Sequence, residues 1–464
     1  MDKNTLWSLR LGYSAKQAKT IEKLGLENFL AQSFETKIDY KIPIFLENSP
    51  KSLNEYKEIR KKYKAASPEE VKEILKKEGQ TSFAMKAWWI AKMNEDEFPL
   101  REKMTCFWHN HYVSTFQKVK VNYWVFQHNQ ILREHAFGNF KTLTKKIIQS
   151  NAMVRYLDNV DNRKDKLNEN LSRELLELFT LGIGNYTEQD VKNGAKGLAG
   201  LGLGEKNAMY RKFLEDNENF TYLGKKGNFK LDEMVDVIFE QPNIPYLITR
   251  KLLKWFIYDN PKEELVYYYG NYFRKINFEI APLLTKIFTE ELEKNNQGSK
   301  IKNPLEFSLQ LMNELNIENP NERLIALFLK DQGMDLFNQP NVKGWDGGNS
   351  WLTSQVFLQR NNAADLLCNG KNLTRGKQEM DENSMMKQNP NRQLNVKLNW
   401  KKESNNKEII AELTNRLLFQ NDINNQADFE QILKYDFDST TEGAENAVMR
   451  LFNFMIKTPE FQLI

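Results

Sequence analysis

Apolar residues recur along most of this chain at positions i, i+3, i+4 and i+7, the spacing of an amphipathic helix. The segments LENFLAQSF, NPLEFSLQLMNELNI and MVDVIFEQ show it, whereas the alternation typical of strands is scarce. Gly, Pro, Asn and Asp separate the helical segments, for example near residues 97, 184, 243 and 319. The pattern predicts an all-α fold: one large, irregular multi-helix domain with little or no sheet.

Two segments depart from this periodicity. Residues 200–230 lose the helical spacing and could hold a short hairpin between two helices. Residues 369–407 are polar, rich in Asn and Lys, and too poor in apolar residues to offset the cost of ordering. We therefore expect a helical core domain over 1–368 that carries the site, a polar insertion or flexible linker over 369–407, and C-terminal helices over 408–464 that pack on the core.

Composition and charge exclude several classes of protein. The 464 residues are 40% hydrophobic, which is enough for a sizeable core. With 66 basic and 62 acidic side chains, the net charge of +4 comes without the basic stripe of a nucleic-acid binder. The densest charged segment, 56–79, alternates Lys and Glu at helical spacing and predicts a solvated helical hairpin. Nucleic acid is therefore not an expected partner.

The apolar runs are also too short and too often interrupted by Lys or Arg to span a membrane. The N-terminal segment has no apolar export signal, so the sequence as written predicts a cytoplasmic location. Cys106 and Cys368 lie too far apart in the chain to indicate a disulfide framework or a zinc cage. No P-loop, dinucleotide fingerprint, Gly-x-Ser-x-Gly elbow or His-Glu-x-x-His motif occurs.

The segment FWHNHYV contains His109 and His111, two of only four histidines. In an extended segment both imidazoles would face one side and could share a metal ion. On an α-helix they would diverge by about 200° and could not. Since LREKMTCFWHN has helical character, the pair predicts a metal site only if the helix ends near Trp108. The alternative is that both rings bond to buried backbone groups among the neighbouring aromatic residues.

A second candidate is the segment NENLSRELLELFTLG, for which we predict a helix from an N-cap at Asn168 to a stop at Gly182. At 100° per residue, Glu174 falls within the apolar arc, about 40° from Leu178 and 60° from Leu171. A carboxylate flanked by leucines needs an arginine, a metal ion or a proton as its partner.

A polar band of Asn170, Arg173 and Glu177 continues from Glu174 on the same wheel, and Glu169 precedes it. The band favours a functional site on this helix. The alternative is an internal Arg–Glu network that only fixes helix packing, because such networks also shift carboxyl pKa values.

Two further segments carry polar candidates. In YWVFQHNQILREHAFGNF, Arg133 and His135 could line a pocket, although a cation placed at a helix C-terminus is the simpler interpretation. The Gly-rich segment FNQPNVKGWDGGNSW (337–351) predicts a long irregular loop, in which Asn341 or Lys343 could reach a pocket beside Trp345. The alternative for that loop is a rigid packing element.

Taken together, these segments resemble a bacterial family known as domain of unknown function 1800. The matching stretches run in order along nearly the whole chain, from LWSLRLGYS through FWHNHYV, LREHAFGNF, NENLSRELLELFTLG, YTEQDVKNGAKGLAG and FNQPNVKGWDGGNSW to TPEFQLI. The family's motif positions fall here on His109, His111, Arg133, His135, Asn168, Glu169, Asn170, Arg173, Glu174, Glu177, Asn341, Lys343 and Trp345.

The resemblance implies a bacterial protein whose relatives are often exported and encoded beside a protein similar to sulfatases and alkaline phosphatases, without an established activity. It thus adds a periplasmic or exported location and such a neighbouring protein as expectations. The chain departs from the family at Ala199-Gly200-Leu201, where Thr-Gly-Trp is usual, and at Glu215-Asp216, where a His-Asp pair is common.

The leading hypothesis is a metal-assisted hydrolase. His109, His111 and Glu174 would hold a divalent ion such as Zn, Mn or Fe, and Glu177 or Glu169 would act as general base. Arg173 would orient an anionic group, with Arg133 and His135 as further catalytic candidates. Asn168, Asn170, Asn341, Lys343 and Trp345 would contact substrate.

Two alternatives remain open. The chain could be a non-catalytic helical scaffold or partner of the neighbouring phosphatase- or sulfatase-like protein. It could also be a metal-free glycosidase that uses two carboxylates such as Glu174 and Glu177.

Overall fold

A computed structural model describes residues 1–373, 393–420 and 423–464 of the chain. Residues 374–392, the central part of the polar insertion expected at 369–407, lie outside the described residues, as do 421 and 422. The described part is predominantly helical, which confirms the predicted fold class.

The N-terminal quarter of the chain consists of six helices, the last of which is buried. Its helices are α1 (Lys3–Leu11), α2 (Ala18–Leu24), α3 (Leu26–Glu35), α4 (Leu53–Ala65), α5 (Pro68–Glu95) and α6 (Leu100–His111). Ser67 and Glu70 form a capping box that starts α5, with Pro68 at its first position. α4 and the start of α5 form the largely exposed charged hairpin expected at 56–79.

The middle of the chain continues in shorter helices. They are α7 (Phe116–Val119), α8 (Asn122–Glu134), α9 (Phe140–Ile148), α10 (Asn151–Tyr156), α11 (Asn170–Glu174) and α12 (Glu188–Leu198). A π-helical turn, Leu175–Thr180, extends α11 without a break. Thr187 and Asp190 form the capping box of α12, because the Thr187 hydroxyl accepts from the Asp190 amide and the Asp190 carboxylate accepts in return.

Two small antiparallel hairpins occupy the segment whose periodicity fails. Strands β1 (Leu201–Gly202) and β2 (Met209–Tyr210) pair Leu201 with Tyr210, and β3 (Phe220–Tyr222) and β4 (Lys225–Gly227) pair Tyr222 with Lys225. The hairpin expected between 200 and 230 is therefore present as two short ones.

The remaining helices complete the body. They are α13 (Leu231–Phe239), α14 (Ile244–Phe256), α15 (Glu263–Lys275), α16 (Ile280–Leu292), α17 (Pro304–Glu314), α18 (Glu322–Asp331), α19 (Ser354–Cys368), α20 (Asn406–Leu417), α21 (Ile423–Ile432) and α22 (Ala444–Met455). Short 3₁₀ turns lie at Ala15–Gln17, Ile44–Leu46, Asn159–Asp161, Lys212–Leu214, Gly348–Trp351 and Pro459–Gln462. No helix in the described ranges is both long and apolar enough to cross a membrane.

Helix α6 lies at the centre of the molecule. Eleven of its twelve residues are buried, and only Asn110 is partly exposed. The large hydrophobic core around it includes the fully buried Trp89, Trp108 and Trp124 and extends along the chain from Trp7 to Phe461. Because α6 is surrounded on all sides, the residues at its C-terminal end contact several elements that are distant in sequence.

Candidate functional site

The last three residues of α6, His109-Asn110-His111, contact three different parts of the molecule. The helix runs unbroken to His111, so the condition for a shared metal ion, a helix end near Trp108, is not met. Two residues apart on a regular helix, the imidazoles diverge by about 200°.

His109 is completely buried and has a partner on each ring nitrogen. Its Nε2 lies 3.0 Å from the carbonyl oxygen of Ser114, and its Nδ1 accepts from the side-chain amide of Asn129 at 3.2 Å. A carbonyl can only accept, so Nε2 carries the proton. Burial lowers the pKa of His109 to about 4. The ring is therefore neutral at physiological pH and its role is structural.

His111 is also buried and neutral, but its neighbours differ. Its Nε2–H donates to the Phe179 carbonyl at 3.1 Å, and its Nδ1 accepts from the Lys251 amine at 3.0 Å. Burial, together with the charge of Lys251, holds the pKa of His111 well below its usual range. Phe179 belongs to the π-helical turn after α11, so the structure brings together the His segment and the acidic helix through a backbone carbonyl.

The predicted ligand set of His109, His111 and Glu174 does not fit a divalent ion. The lone-pair nitrogen of each imidazole already accepts a hydrogen bond, and the two rings face opposite sides of α6. Among the residues described, no group of three or more His, Cys, Asp or Glu side chains is placed to hold a metal ion.

Lys251 on α14 is the residue that connects His111 to a cavity. Its Nζ donates to the Leu178 carbonyl at 3.2 Å as well as to His111. Burial, and secondarily the charge of Lys254 one turn away, lower the pKa of Lys251 to about 8. Within the described ranges, no carboxylate lies at ion-pair distance from Lys251, Lys254 or Lys343.

These three lysines line a cavity of about 240 Å³ between the end of α6, the C-terminal half of α14 and the loop 337–351. Its aromatic walls are Phe107 and three buried tryptophans, Trp255, Trp345 and Trp351. The indole N–H groups of Trp255 and Trp345 have no hydrogen-bond partner in the part of the chain that is described.

Three further charged residues line the same cavity. Lys300 is buried and paired with Glu306 at 2.7 Å. Asp259 accepts from the backbone N–H of Ile301 at 2.9 Å, and burial raises the pKa of its carboxyl. Asp346 lies exposed in the loop. The unpaired lysines therefore outnumber the carboxylates, which favours an anionic ligand.

Asn110 fixes the loop that closes the cavity. Its Oδ1 accepts from the backbone N–H of Trp345 at 2.7 Å. Gly344 has a φ of +86°, and a Cβ built on it would lie 2.3 Å from the same oxygen. The loop can approach α6 this closely only because residue 344 is glycine. Asn341 shapes the turn by accepting from the Lys343 N–H at 2.8 Å.

The predicted substrate-binding residues lie in three different places. Lys343 and Trp345 line the cavity, whereas Asn341 acts on the loop itself. Asn168, predicted as the N-cap, lies two residues ahead of the α11 start, and Glu169 holds the N-cap position instead. Asn168 accepts from the Asn170 N–H at 3.0 Å, and neither residue lines the cavity.

The carboxylates predicted for this segment, Glu174 and Glu177, lie beside the cavity and do not line it. Glu174 is partly buried; burial and then Glu177 raise its pKa, while Arg173 and Lys343 oppose that shift. Glu177 accepts from the Tyr186 hydroxyl at 2.5 Å. Lys343 is therefore the electrostatic link between Glu174 and the cavity.

The other predicted charged residues form structural pairs. Arg173 donates to both oxygens of Glu188, at 2.7 and 2.8 Å, and to Glu169 at 3.1 Å. Arg133 is buried and donates to both oxygens of Glu102 at 2.7 and 2.9 Å.

His135 caps the C-terminal end of α8, where burial lowers its pKa. It lies outside the cavity lining, as do Arg133, Arg173 and Glu169. Their catalytic roles remain predictions that the cavity does not support.

The sequence indicates Lys251 through its position in a helix and not through a motif. Lys251 lies three residues after Ile248 and four before Trp255, so a lysine sits within the apolar stripe of LITRKLLKWF. Glu174 was singled out on the same criterion. Asn110 gave no such signal, because its partner is 235 residues away in the chain.

Comparison with known proteins gives a family and no activity. No curated protein and no solved structure matches the chain significantly. The family model described as "Protein of unknown function (DUF1800)" matches residues 5–463. Since the match covers nearly the whole length, the chain belongs to the DUF1800 family.

Proposed function

We propose that the protein is an enzyme that takes a small anionic substrate into the cavity at the end of α6, where Lys251 transfers a proton and His111 positions its amine. The observation that carries this proposal is the hydrogen bond between the Lys251 amine and the His111 imidazole, 3.0 Å long, inside a cavity where Lys251, Lys254 and Lys343 have no carboxylate at ion-pair distance among the described residues.

An anionic group suits the cavity because three ammonium groups converge there without counter-ions. Lys254 and Lys343 are exposed at its rim, and Lys251 lies deeper. A carboxylate, phosphate or sulfate would accept hydrogen bonds from several of them in a partly dehydrated site, where such charge-assisted bonds are strong. Proteins also use oriented lysines to steer anions into clefts.

The tryptophan walls suit the rest of the substrate. Trp255, Trp345 and Trp351 supply flat apolar surface, and two of their indole N–H groups lack partners. A substrate with a planar or ring-shaped body would pack against this apolar surface.

Lys251 has the properties of a general acid or base. With a pKa of about 8, both its charged and its neutral form are populated near neutral pH. His111 holds the amine in place through its Nδ1 lone pair, and its own Nε2–H is fixed on the Phe179 carbonyl. The imidazole therefore positions the amine without competing for a positive charge.

Hydrolysis is the reaction class that the sequence predicts for this site. The metal-assisted form of that prediction finds no support in the positions of His109, His111 and Glu174. Metal analysis of the purified protein tests it: stoichiometric Zn, Mn or Fe that is lost in both His109→Ala and Glu174→Gln variants would restore the metal hypothesis.

A screen of small anions by thermal shift tests the proposal. We expect phosphate, sulfate or carboxylate compounds to raise the melting temperature of the wild-type protein, and a Lys254→Gln/Lys343→Gln variant to lose that response. The matched control is Lys72→Gln/Lys76→Gln, which removes the same charge from the exposed face of α5. Equal responses in both double variants would contradict the proposal.

The same screen bears on the scaffold alternative. A non-catalytic partner protein predicts that His111→Ala and Glu174→Gln lower the melting temperature together with partner binding, and that no small anion stabilises the wild-type chain.

A further inference from the structure

We propose that Lys251 is a nucleophile that forms an imine with a carbonyl group, so that the substrate is an aldehyde or ketone that also carries an anionic group. This inference rests on the proposed function, because the anionic group is what the cavity's other lysines would hold. It goes beyond that function by naming a covalent step and the substrate class.

The hydrogen bonds of Lys251 match those of a neutral amine. A neutral amine has two N–H bonds and one lone pair, whereas an ammonium has three N–H bonds. The protein offers two acceptors to the Nζ atom, the His111 Nδ1 at 3.0 Å and the Leu178 carbonyl at 3.2 Å. No third acceptor from the described residues bonds to it. The remaining tetrahedral position of the nitrogen is thus available for a lone pair and for attack on a ligand.

The surroundings favour that neutral form. Lys251 is partly buried beside aromatic walls, has no carboxylate at ion-pair distance in the described ranges, and has Lys254 on the next turn of α14. Desolvation and a neighbouring cation are the two devices by which proteins turn a lysine into a nucleophile. Both are present here.

The reaction balances without a further reagent. The Lys251 lone pair attacks the carbonyl carbon, a C–N bond forms, and the C=O π electrons move to oxygen. One amine proton passes to that oxygen and gives a carbinolamine, while the His111 Nδ1 keeps the nitrogen in place. Departure of this hydroxyl with the second amine proton releases one water and leaves a C=N bond.

Lys254 and Lys343 would hold the anionic group while this happens, since both are exposed at the rim without carboxylate partners. The ionisable groups that line the cavity around the amine are His111, Lys254, Asp259, Lys300, Lys343 and Asp346. Glu306 neutralises Lys300, so Lys254 and Lys343 remain as the partners of the anionic group.

Pyridoxal 5′-phosphate is a suitable probe because it combines an aldehyde with a phosphate. The full-length wild-type chain is treated with less than one equivalent, reduced with borohydride to fix any imine, digested and mapped by mass spectrometry. We expect Lys251 to be modified at least about tenfold more than exposed lysines such as Lys226, because far more of its amine is neutral. The extent should rise with pH through about 8.

Two controls make the result decisive. Inorganic phosphate should suppress the modification, and pyridoxal without the phosphate should modify Lys251 much less. Phosphate that stabilises the protein while Lys251 stays unmodified would overturn this inference and leave the proposed function standing. Modification of Lys251 that is equal with both aldehydes and indifferent to phosphate would also overturn it, because the anionic group would then have no role. Mapping the wild-type chain avoids any variant that fails to fold.

Discussion

The imidazole of His111 is held in one tautomer by two neighbours of different kinds. The Phe179 carbonyl can only accept, which fixes the proton on Nε2, and the Lys251 amine then donates to Nδ1. The metal hypothesis needs that same Nδ1 or Nε2 lone pair to be free. The hydrogen bonds of His111 therefore favour positioning of the Lys251 amine over metal binding.

Replacing Lys251 with Met separates chemistry from stability. Met keeps an unbranched side chain of similar length but removes the amine, so anion binding and activity should be lost. The unfolding free energy should fall by only about 1–3 kcal/mol, because the buried His111 Nδ1 and the Leu178 carbonyl lose their donor while no carboxylate is left unpaired. Calorimetric titration with the best anion from the screen and a thermal melt measure the two effects. Retained binding in Lys251→Met would argue against its role.

Replacing Arg133 should instead lower stability strongly, because Arg133 and its partner Glu102 are buried together. Arg133→Met leaves the Glu102 carboxylate without its two charge-assisted bonds in the core. Breaking a buried pair in this way costs about 3–5 kcal/mol of unfolding free energy. The double variant Glu102→Gln/Arg133→Met should recover most of that loss in denaturant unfolding. A stable Arg133→Met protein without activity would instead point to the catalytic role predicted from the sequence.

At the scale of elements, the end of α6 and the loop 337–351 form one unit. Asn110 accepts from the Trp345 N–H, and Gly344 allows the close approach that this bond requires. The loop in turn brings Lys343 and Trp345 to the cavity. The conformation of a single glycine thus determines whether the cavity has its outer wall.

Gly344→Ala should therefore abolish anion binding while most of the fold survives. A Cβ at residue 344 would meet Asn110 atoms at 2.3 and 2.4 Å, and its φ of +86° adds about 1–3 kcal/mol of strain. Gly333→Ala is the matched control, since it shares a positive φ of +83°, has nothing within 4 Å of the added Cβ and lies outside the cavity lining. Equal binding by the two variants would contradict the proposed loop–helix unit.

The helical wheel of a regular α-helix does not describe the π-helical turn at Leu175–Thr180. The wheel placed Glu174 in the apolar arc, and the residue is partly buried with a raised pKa. In the π-helical turn the backbone hydrogen bonds run from residue i+5 to i, as from the Leu181 N–H to the Leu176 carbonyl at 2.8 Å, so side chains no longer advance by 100°. The carbonyls that reach His111 and Lys251, Phe179 and Leu178, come from this turn.

For the whole molecule, the fold followed from the sequence more fully than the site did. Helical periodicity, the capping boxes at Ser67 and Thr187 and the failure of periodicity after residue 200 are local features. The cavity instead depends on residues that are far apart in the chain. His111, Lys251 and Lys343 meet only when α6, α14 and the loop pack around the core.

Sequence motifs therefore identify residues of the site, but they do not identify the contacts that these residues make. Lys343, Trp345 and His111 were predicted, and all three line the cavity. The hydrogen bonds that give His109 and Arg133 structural roles join them to Asn129 and Glu102, which no local pattern links to them. Polar residues within an apolar stripe, as at Lys251, were the most informative sequence signal.

The most direct test of the cavity as an anion site is a crystal structure of the protein grown or soaked with selenate, with anomalous data at the selenium edge. We expect an anomalous peak in the cavity within hydrogen-bond distance of Lys251, Lys254 or Lys343, and its loss in the Lys254→Gln/Lys343→Gln variant. Selenate bound elsewhere on the surface, with none in the cavity, would contradict it.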